Sequence, residues 1–135
     1  MELATSQKDL LDRNDHGVLA TADKSGLPRQ SVVYYVFDEG TLLISTLAER
    51  LKARDVIRTG WASLSVSDAE RPHPSATFSG PAEIRTEDIG ESTARIMGRI
   101  TGQDPPEPLP DAELAGVGRV ILAITIDRVS AASYL

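Results

Sequence analysis

The strongest constraint on this chain lies in its first third, where three short apolar segments are cut by two tight turns. Val18-Leu19-Ala20-Thr21-Ala22 reads as a strand. So do Arg29 to Phe37, rich in Val and Tyr, and Thr41-Leu42-Leu43-Ile44-Ser45. Asp23-Lys24-Ser25-Gly26 and Asp38-Glu39-Gly40 separate them. In such turns an Asp side chain bonds the nearby backbone and Gly takes positive φ without a steric cost. Strand, turn, strand, turn, strand at this spacing predicts an antiparallel meander. Val32 to Phe37 is continuously apolar rather than alternating. That pattern predicts a strand covered on both faces, by the core on one side and by something else on the other.

The flanking segments extend the pattern. Residues 6–14 place Leu10 and Leu11 among polar residues and predict a short helix ended near Gly17. Thr46-Leu47-Ala48-Glu49 matches a capping box, with Thr46 as N-cap and Glu49 at the third position. A helix over about 47–58, stopped by Gly60, is expected to follow. Ala62 to Ser67 alternates cleanly as a strand, residues 68–74 read as a loop, and Ala76 to Arg85 reads as a long strand bent at Gly80-Pro81. Glu87 and Asp88 open a second helix with the apolar stripe Ile89, Ile96, Met97 and Ile100. Pro105, Pro106, Pro108 and Pro110 form a stiff connector. Val117 to Val129 reads as the last strand, with Val120, Leu122, Ile124 and Ile126 on one face. The expected class is mainly β: a small closed barrel of about six antiparallel strands with two main peripheral helices, because closure removes exposed sheet edges.

A chain of 135 residues, 41% hydrophobic and 25% charged, is expected to form one domain over residues 1–135. The formal net charge of −6 makes it a poor general binder of nucleic acid or of anionic membrane. With no cysteine, thiol catalysis and thiolate metal sites are excluded. The N-terminus shows no basic start followed by an apolar run, and no uncharged apolar stretch approaches ~18 residues. The expectation is therefore a cytoplasmic protein without a membrane partner. His16 and His73 are the only histidines, far apart in sequence, so no metal site is expected. His73, in Arg71-Pro72-His73-Pro74, reads as a solvated loop residue. Gly116-Val117-Gly118 begins like a dinucleotide fingerprint, but Ile121 stands at its third glycine position and a strand follows instead of a helix.

The informative segment is Arg50-Leu51-Lys52-Ala53-Arg54-Asp55-Val56-Ile57-Arg58, which carries a local net charge of +3 on an acidic chain. Cations at the start of a helix oppose its macrodipole. An anion there would reverse the sign: free backbone N–H groups, the Ser45 and Thr46 hydroxyls, Arg50 and Lys52 would converge on a phosphate without a glycine-rich loop. The alternative is a solvated helix face whose arginines pair with Glu49 and Asp55.

Five pieces now stand in order. They are Gly17-Val18-Leu19-Ala20-Thr21, Gly26-x-Pro28, Gln30-Ser31-Val32-Val33-Tyr34-Tyr35, Leu43-Ile44-Ser45-Thr46, and Arg50-x-Lys52-x-Arg54. Together they resemble the pyridoxamine 5′-phosphate oxidase-like superfamily, and most closely its small actinobacterial flavin or deazaflavin (coenzyme F420) reductases. The resemblance implies an FMN-binding split β-barrel, a homodimer with the cofactor between subunits. In that picture Gln30, Ser31, Val32, Val33 and Tyr34 line the ring through backbone groups, and Ser45, Thr46, Arg50 and Lys52 hold the phosphate. Val56, Ile57 and Trp61 pack the helix against the barrel. The implied activity is hydride transfer from reduced F420 to a small conjugated organic acceptor. The alternatives are an FMN-dependent oxidoreductase of the same fold, or a non-catalytic flavin-binding protein. No side chain stands out as acid or base, although Tyr34 and Tyr35 are the available proton donors. Two departures speak against the vitamin-making oxidases of this group. Gln30 stands where a basic residue begins their ring-binding strand, and the chain stops at Tyr134-Leu135 without their longer C-terminal extension.

Overall fold

The computed structural model describes residues 1–131. Helix α1 (Thr5–Arg13) leads into the meander β1 (His16–Ala22), β2 (Pro28–Tyr34), β3 (Val36–Asp38) and β4 (Thr41–Leu47). Helix α2 (Leu51–Thr59) follows, then β5 (Trp61–Ser67) and β6 (Ser75–Arg85). Helices α3 (Gly90–Thr101) and α4 (Asp111–Gly116) precede β7 (Arg119–Thr125) and β8 (Arg128–Ala131). All the strand pairings are antiparallel, in the order β2-β1-β5-β6-β7-β4-β3, with β8 also on β6. The architecture is a split β-barrel, as expected, with eight strands and four helices among the described residues rather than six and two.

The barrel turns its corner at β6. Residues 75–81 of this strand pair with β5, and residues 82–85 pair with β7. At Gly80 the Thr125 carbonyl approaches so closely that a Cβ would lie 1.9 Å from it. Only glycine allows the strand to pass there, which is the expected bend at Gly80-Pro81. The interior holds Leu19, Val33, Ile44, Leu64, Phe78, Leu122 and Ile124, all buried. A second cluster joins Leu43, Ile121 and Ala123 on the outer face of β4 and β7 to Ile89, Ile96 and Leu114 of the α3–α4 layer.

Four expectations need correction. Arg29 to Phe37 is not one strand: β2 ends at Tyr34 and β3 begins at Val36. Between them Tyr35 is fully buried and its hydroxyl donates to the Leu11 carbonyl at 2.7 Å and the Asn14 carbonyl at 3.0 Å, which anchors the break to α1. The continuous apolar run is therefore not covered on both faces by this chain, and Val32 remains 69% exposed. Thr46 does not cap α2. It pairs with Val120 in a seven-residue β4–β7 ladder, and the N-cap is Arg50, with no side-chain cap. Gly60 does end that helix, in the left-handed conformation, its N–H bonded to the Val56 carbonyl at 2.7 Å. On α3, Ile89 and Ile96 point inward, but Met97 and Ile100 are exposed, and Thr93, Ala94 and Gly98 fill the buried positions. The segment read as one strand over 117–129 is two strands, preceded by α4. The Asp111 carboxylate of α4 accepts hydrogen bonds from the Asp88 and Ile89 N–H groups and so caps the start of α3.

Candidate functional site

Strand β2 lies at the end of the sheet order, so one of its edges is unpaired among the described residues. The register opposes Gln30, Val32 and Tyr34 to Ala20, Val18 and His16, and Ser31 and Val33 to Leu19 and Gly17. Leu19 and Val33 are core, so Ser31 and Val33 face inward and Gln30, Val32 and Tyr34 face out. That outer face carries Val18, Val32 and Tyr34. Its apolar members remain exposed.

Helix α2 is fastened to β2 by two contacts. The Lys52 ammonium donates to Ser31 Oγ at 3.2 Å, and Arg29 Nε donates to Asp55 Oδ2 at 2.7 Å. Arg29 and Ser31 share one face of a strand, and Lys52 and Asp55 one face of a helix, which is why both pairs form together. Asp55 is 2% exposed and also accepts from Thr21 Oγ1 at 2.9 Å and Arg58 Nη1 at 3.2 Å. Burial alone would raise its carboxyl, but the hydrogen bonds from Arg29, Thr21 and Arg58 outweigh it and hold it below the usual carboxylate range.

The basic segment therefore divides. Arg58 is taken up by Asp55 and the Ala22 carbonyl. Arg50, Lys52 and Arg54 meet no carboxylate among the described residues, and Glu49 pairs with none of them. Burial, then the neighbouring Arg50 guanidinium, pushes the Lys52 ammonium below its ordinary value. Two like charges held together at an uncapped helix start are unfavourable alone and complementary to an anion. Further along α2 a cavity of about 330 Å³ is lined by Lys24, Arg29, Arg54 and Arg58 and by the acidic Asp23 and Asp55; neither Arg50 nor Lys52 lines it.

Ser45 and Thr46 are adjacent on β4, so their hydroxyls leave on opposite faces. Ser45 lies across from Ile121, under the α3–α4 layer, with its Oγ 3.5 Å from Arg119 Nη1; Thr46 is buried across from Val120. The structure thus brings Ser31, Arg50 and Lys52 together and sets Ser45 with Arg119. Val56 packs into the core as expected. Ile57, 68% exposed, and Trp61 do not.

Tyr35 is no proton donor, because burial raises its hydroxyl well above the usual tyrosine value and two carbonyls hold it. Tyr34 stands on the open face, its ring 5.9 Å from that of His16, whose Nδ1 lies 2.6 Å from Asp15 Oδ1. His73 makes only a loop contact, to the Asp68 carbonyl. Arg29 and Arg119 have no local sequence signal; each acquires its setting from a partner distant in sequence, Asp55 and Ser45.

The bare edge strand and the two cations at the helix beside it, which meet no carboxylate among the described residues, frame the site. The chain belongs to the pyridoxamine 5′-phosphate oxidase family, whose model matches residues 3–132. Among solved structures it is similar to an F420 reductase at 23% identity and TM-score 0.77, with 95% of this chain and 98% of that one covered. A conserved hypothetical protein from Mycobacterium tuberculosis gives 23% identity and TM-score 0.76, covering 97% and 85%. A heme binding protein from Mycobacterium smegmatis gives 17% identity and TM-score 0.71, with 98% of this chain on 55% of that one. These likenesses establish the fold. None of the curated proteins matches the chain. Among the described residues no helix is long and apolar enough to cross a membrane.

Proposed function

We propose that this protein is a homodimeric oxidoreductase that binds the deazaflavin coenzyme F420 along β2 and serves hydride transfer to a small conjugated organic acceptor. The observation that carries the reading is the pair Arg50 and Lys52, without a carboxylate partner, at the uncapped start of α2, with Lys52 bonded to Ser31 of the edge strand. A phosphate there accepts charge-assisted hydrogen bonds from both cations and from the free N–H groups of the first helical turn. The free edge of Gln30 to Tyr34 offers backbone donors and acceptors to a planar ring in plane with the sheet. Bound there, the deazaflavin supplies the hydride; the protein orients it, excludes water and steadies its charge. The open face of Val18, Val32 and Tyr34 is the surface for a second copy, whose approach would complete the cleft. An obligate interface of roughly 2,000 Å² or more is expected.

FMN is the second reading, and one observation favours it. The pairing of Arg58 with Asp55 shortens the basic track that an oligoglutamate tail would follow, whereas a single phosphate needs only Arg50 and Lys52. Absorbance titration of the apo-protein with F420 and with FMN, alongside light scattering, tests both. Tighter binding of F420 to a dimer is the expected result. Tighter binding of FMN moves the assignment to the flavin, and binding of neither, or a monomer at micromolar concentration, overturns it.

A further inference from the structure

On the far side of β4 from the barrel interior, α3, the proline connector and α4 enclose a second cavity of about 210 Å³. Its walls are apolar: Ala94 and Met97 of α3, Leu109 of the connector, Leu114 and Val117 after it. Met97, Leu109 and Val117 are incompletely covered, so the walls continue into an exposed apolar rim. One charged group closes the cavity from the sheet side, Arg119 at the start of β7. It is half-buried and meets no carboxylate among the described residues. Its one side-chain contact is Ser45 Oγ at 3.5 Å, the outer limit of a hydrogen bond. The other polar members are Thr93, whose hydroxyl already donates to the Ile89 carbonyl at 2.6 Å, and Glu107 on the exposed connector.

A guanidinium partly withdrawn from water beside apolar walls leaves its donors underused, and the planar fork matches a carboxylate. From this juxtaposition we infer that the cavity is a binding site for a short monocarboxylate with an apolar body, its carboxylate on Arg119 and its chain against Ala94, Met97, Leu109 and Leu114. The volume falls below the roughly 300–1,000 Å³ of sites for drug-sized ligands, which restricts the occupant to a small molecule. The cavity lies on the opposite face of β4 from Thr46, and neither Arg50 nor Lys52 lines it, so the inference does not depend on what cofactor those residues hold.

Hexanoate and hexan-1-ol are the probes, titrated into the full chain without cofactor and followed by amide chemical shifts. Hexanoate is expected to shift α3, α4 and Arg119 and to spare α2, and to bind at least about tenfold more tightly than hexan-1-ol, the worth of one charged hydrogen-bonding partner. Arg119→Gln should remove that advantage while leaving the weak binding of hexan-1-ol in place, and Arg119→Lys should retain part of it. Ala94→Trp, which fills the cavity, should abolish both. Should Arg119→Gln not fold, the lysine variant and the wild-type shift map decide. Equal affinity for acid and alcohol, shifts on α2 instead of α3 and α4, or no binding overturns the site. So does conversion of a dimer to monomer by Ala94→Trp, which would assign the groove to a second copy of the chain.

Discussion

The barrel has two outer faces, and they are built on opposite principles. Over β4 and β7 the outward residues are Leu43, Ile121 and Ala123, and α3 and α4 bury them. Over β1 and β2 they are Val18, Val32 and Tyr34, and all three remain exposed. The first face is sealed by its own chain and gives the fold its second core. The second keeps a bare strand edge and a surface of small and aromatic groups, which is what a cofactor and a partner need. The difference is written in the strands: Val120 to Ile124 is apolar at every position and is covered on both sides, while in β2 Gln30, Val32 and Tyr34 stand exposed between the more buried Ser31 and Val33.

An acidic residue placed on each face tests this contrast most severely. Ala123→Asp buries a carboxylate against Ile89 and Leu114 and should cost more than about 4 kcal/mol, or prevent folding, in urea denaturation. Val32→Asp should leave folding cooperative, with the monomer's own stability changed by no more than about 0.5 kcal/mol, while light scattering reports loss of the proposed dimer. Equal damage from the two would mean that the open face is as much a core as the closed one.

The seam between α2 and the open face comes next. Asp55→Ala leaves Arg29 and Arg58, each about a third exposed, without their shared carboxylate and strands the buried Thr21 hydroxyl; it should cost about 1–3 kcal/mol. The pH dependence follows from the same group. A carboxyl held below its usual value stabilises the fold fully above the unfolded-state value of about 4, and that contribution is lost as pH falls from there through its lower value in the fold. Asp68, lowered by its bonds from Arg13 and Asn14, acts in the same sense. The melting temperature should therefore drop in acid below about pH 4, with a shallower drop in Asp55→Asn. An unchanged acid slope in that variant would remove Asp55 from the account.

The sequence made the barrel legible because alternation, turns and the glycines at 60 and 80 are local signals. It misled where a residue's surroundings are set by distant chain. Thr46 carries a capping pattern, yet the β4–β7 ladder claims its backbone and delays the helix to Leu51. Val32 to Phe37 looks uniformly buried, yet the anchoring of Tyr35 to α1 divides it into two strands. In the site, the basic segment announced Arg50 and Lys52, but nothing local distinguished them from Arg58. That distinction depends on Asp55 being reached from β1 and β2 by Thr21 and Arg29.

Cofactor affinity comes next. If Arg50 and Lys52 each donate to a phosphate, Arg50→Ala or Lys52→Ala should weaken cofactor binding by about 10- to 150-fold, the equivalent of roughly 1.5–3 kcal/mol. Arg85→Ala, on the far end of β6 and paired with Glu83, should not change it. Unchanged affinity in both α2 variants would return the basic segment to a solvated helix face.

The smallest effect separates the deazaflavin from FMN. With Arg58 committed to Asp55, the cations left beside the cavity for a polyanionic tail are Arg54 and Lys24. Both are exposed, so each contact with a tail carboxylate contributes no more than about 1 kcal/mol, and salt screens it over a Debye length of about 8–10 Å. Lys24→Ala combined with Arg54→Ala should therefore lower F420 affinity severalfold at low salt and much less at moderate salt. FMN, which lacks the tail, should respond to neither the variant nor its salt dependence. The comparison is a four-way titration of wild type and double variant with both cofactors at two ionic strengths. An F420 affinity indifferent to the double variant would mean that the open face recognises its ligand by ring and phosphate alone.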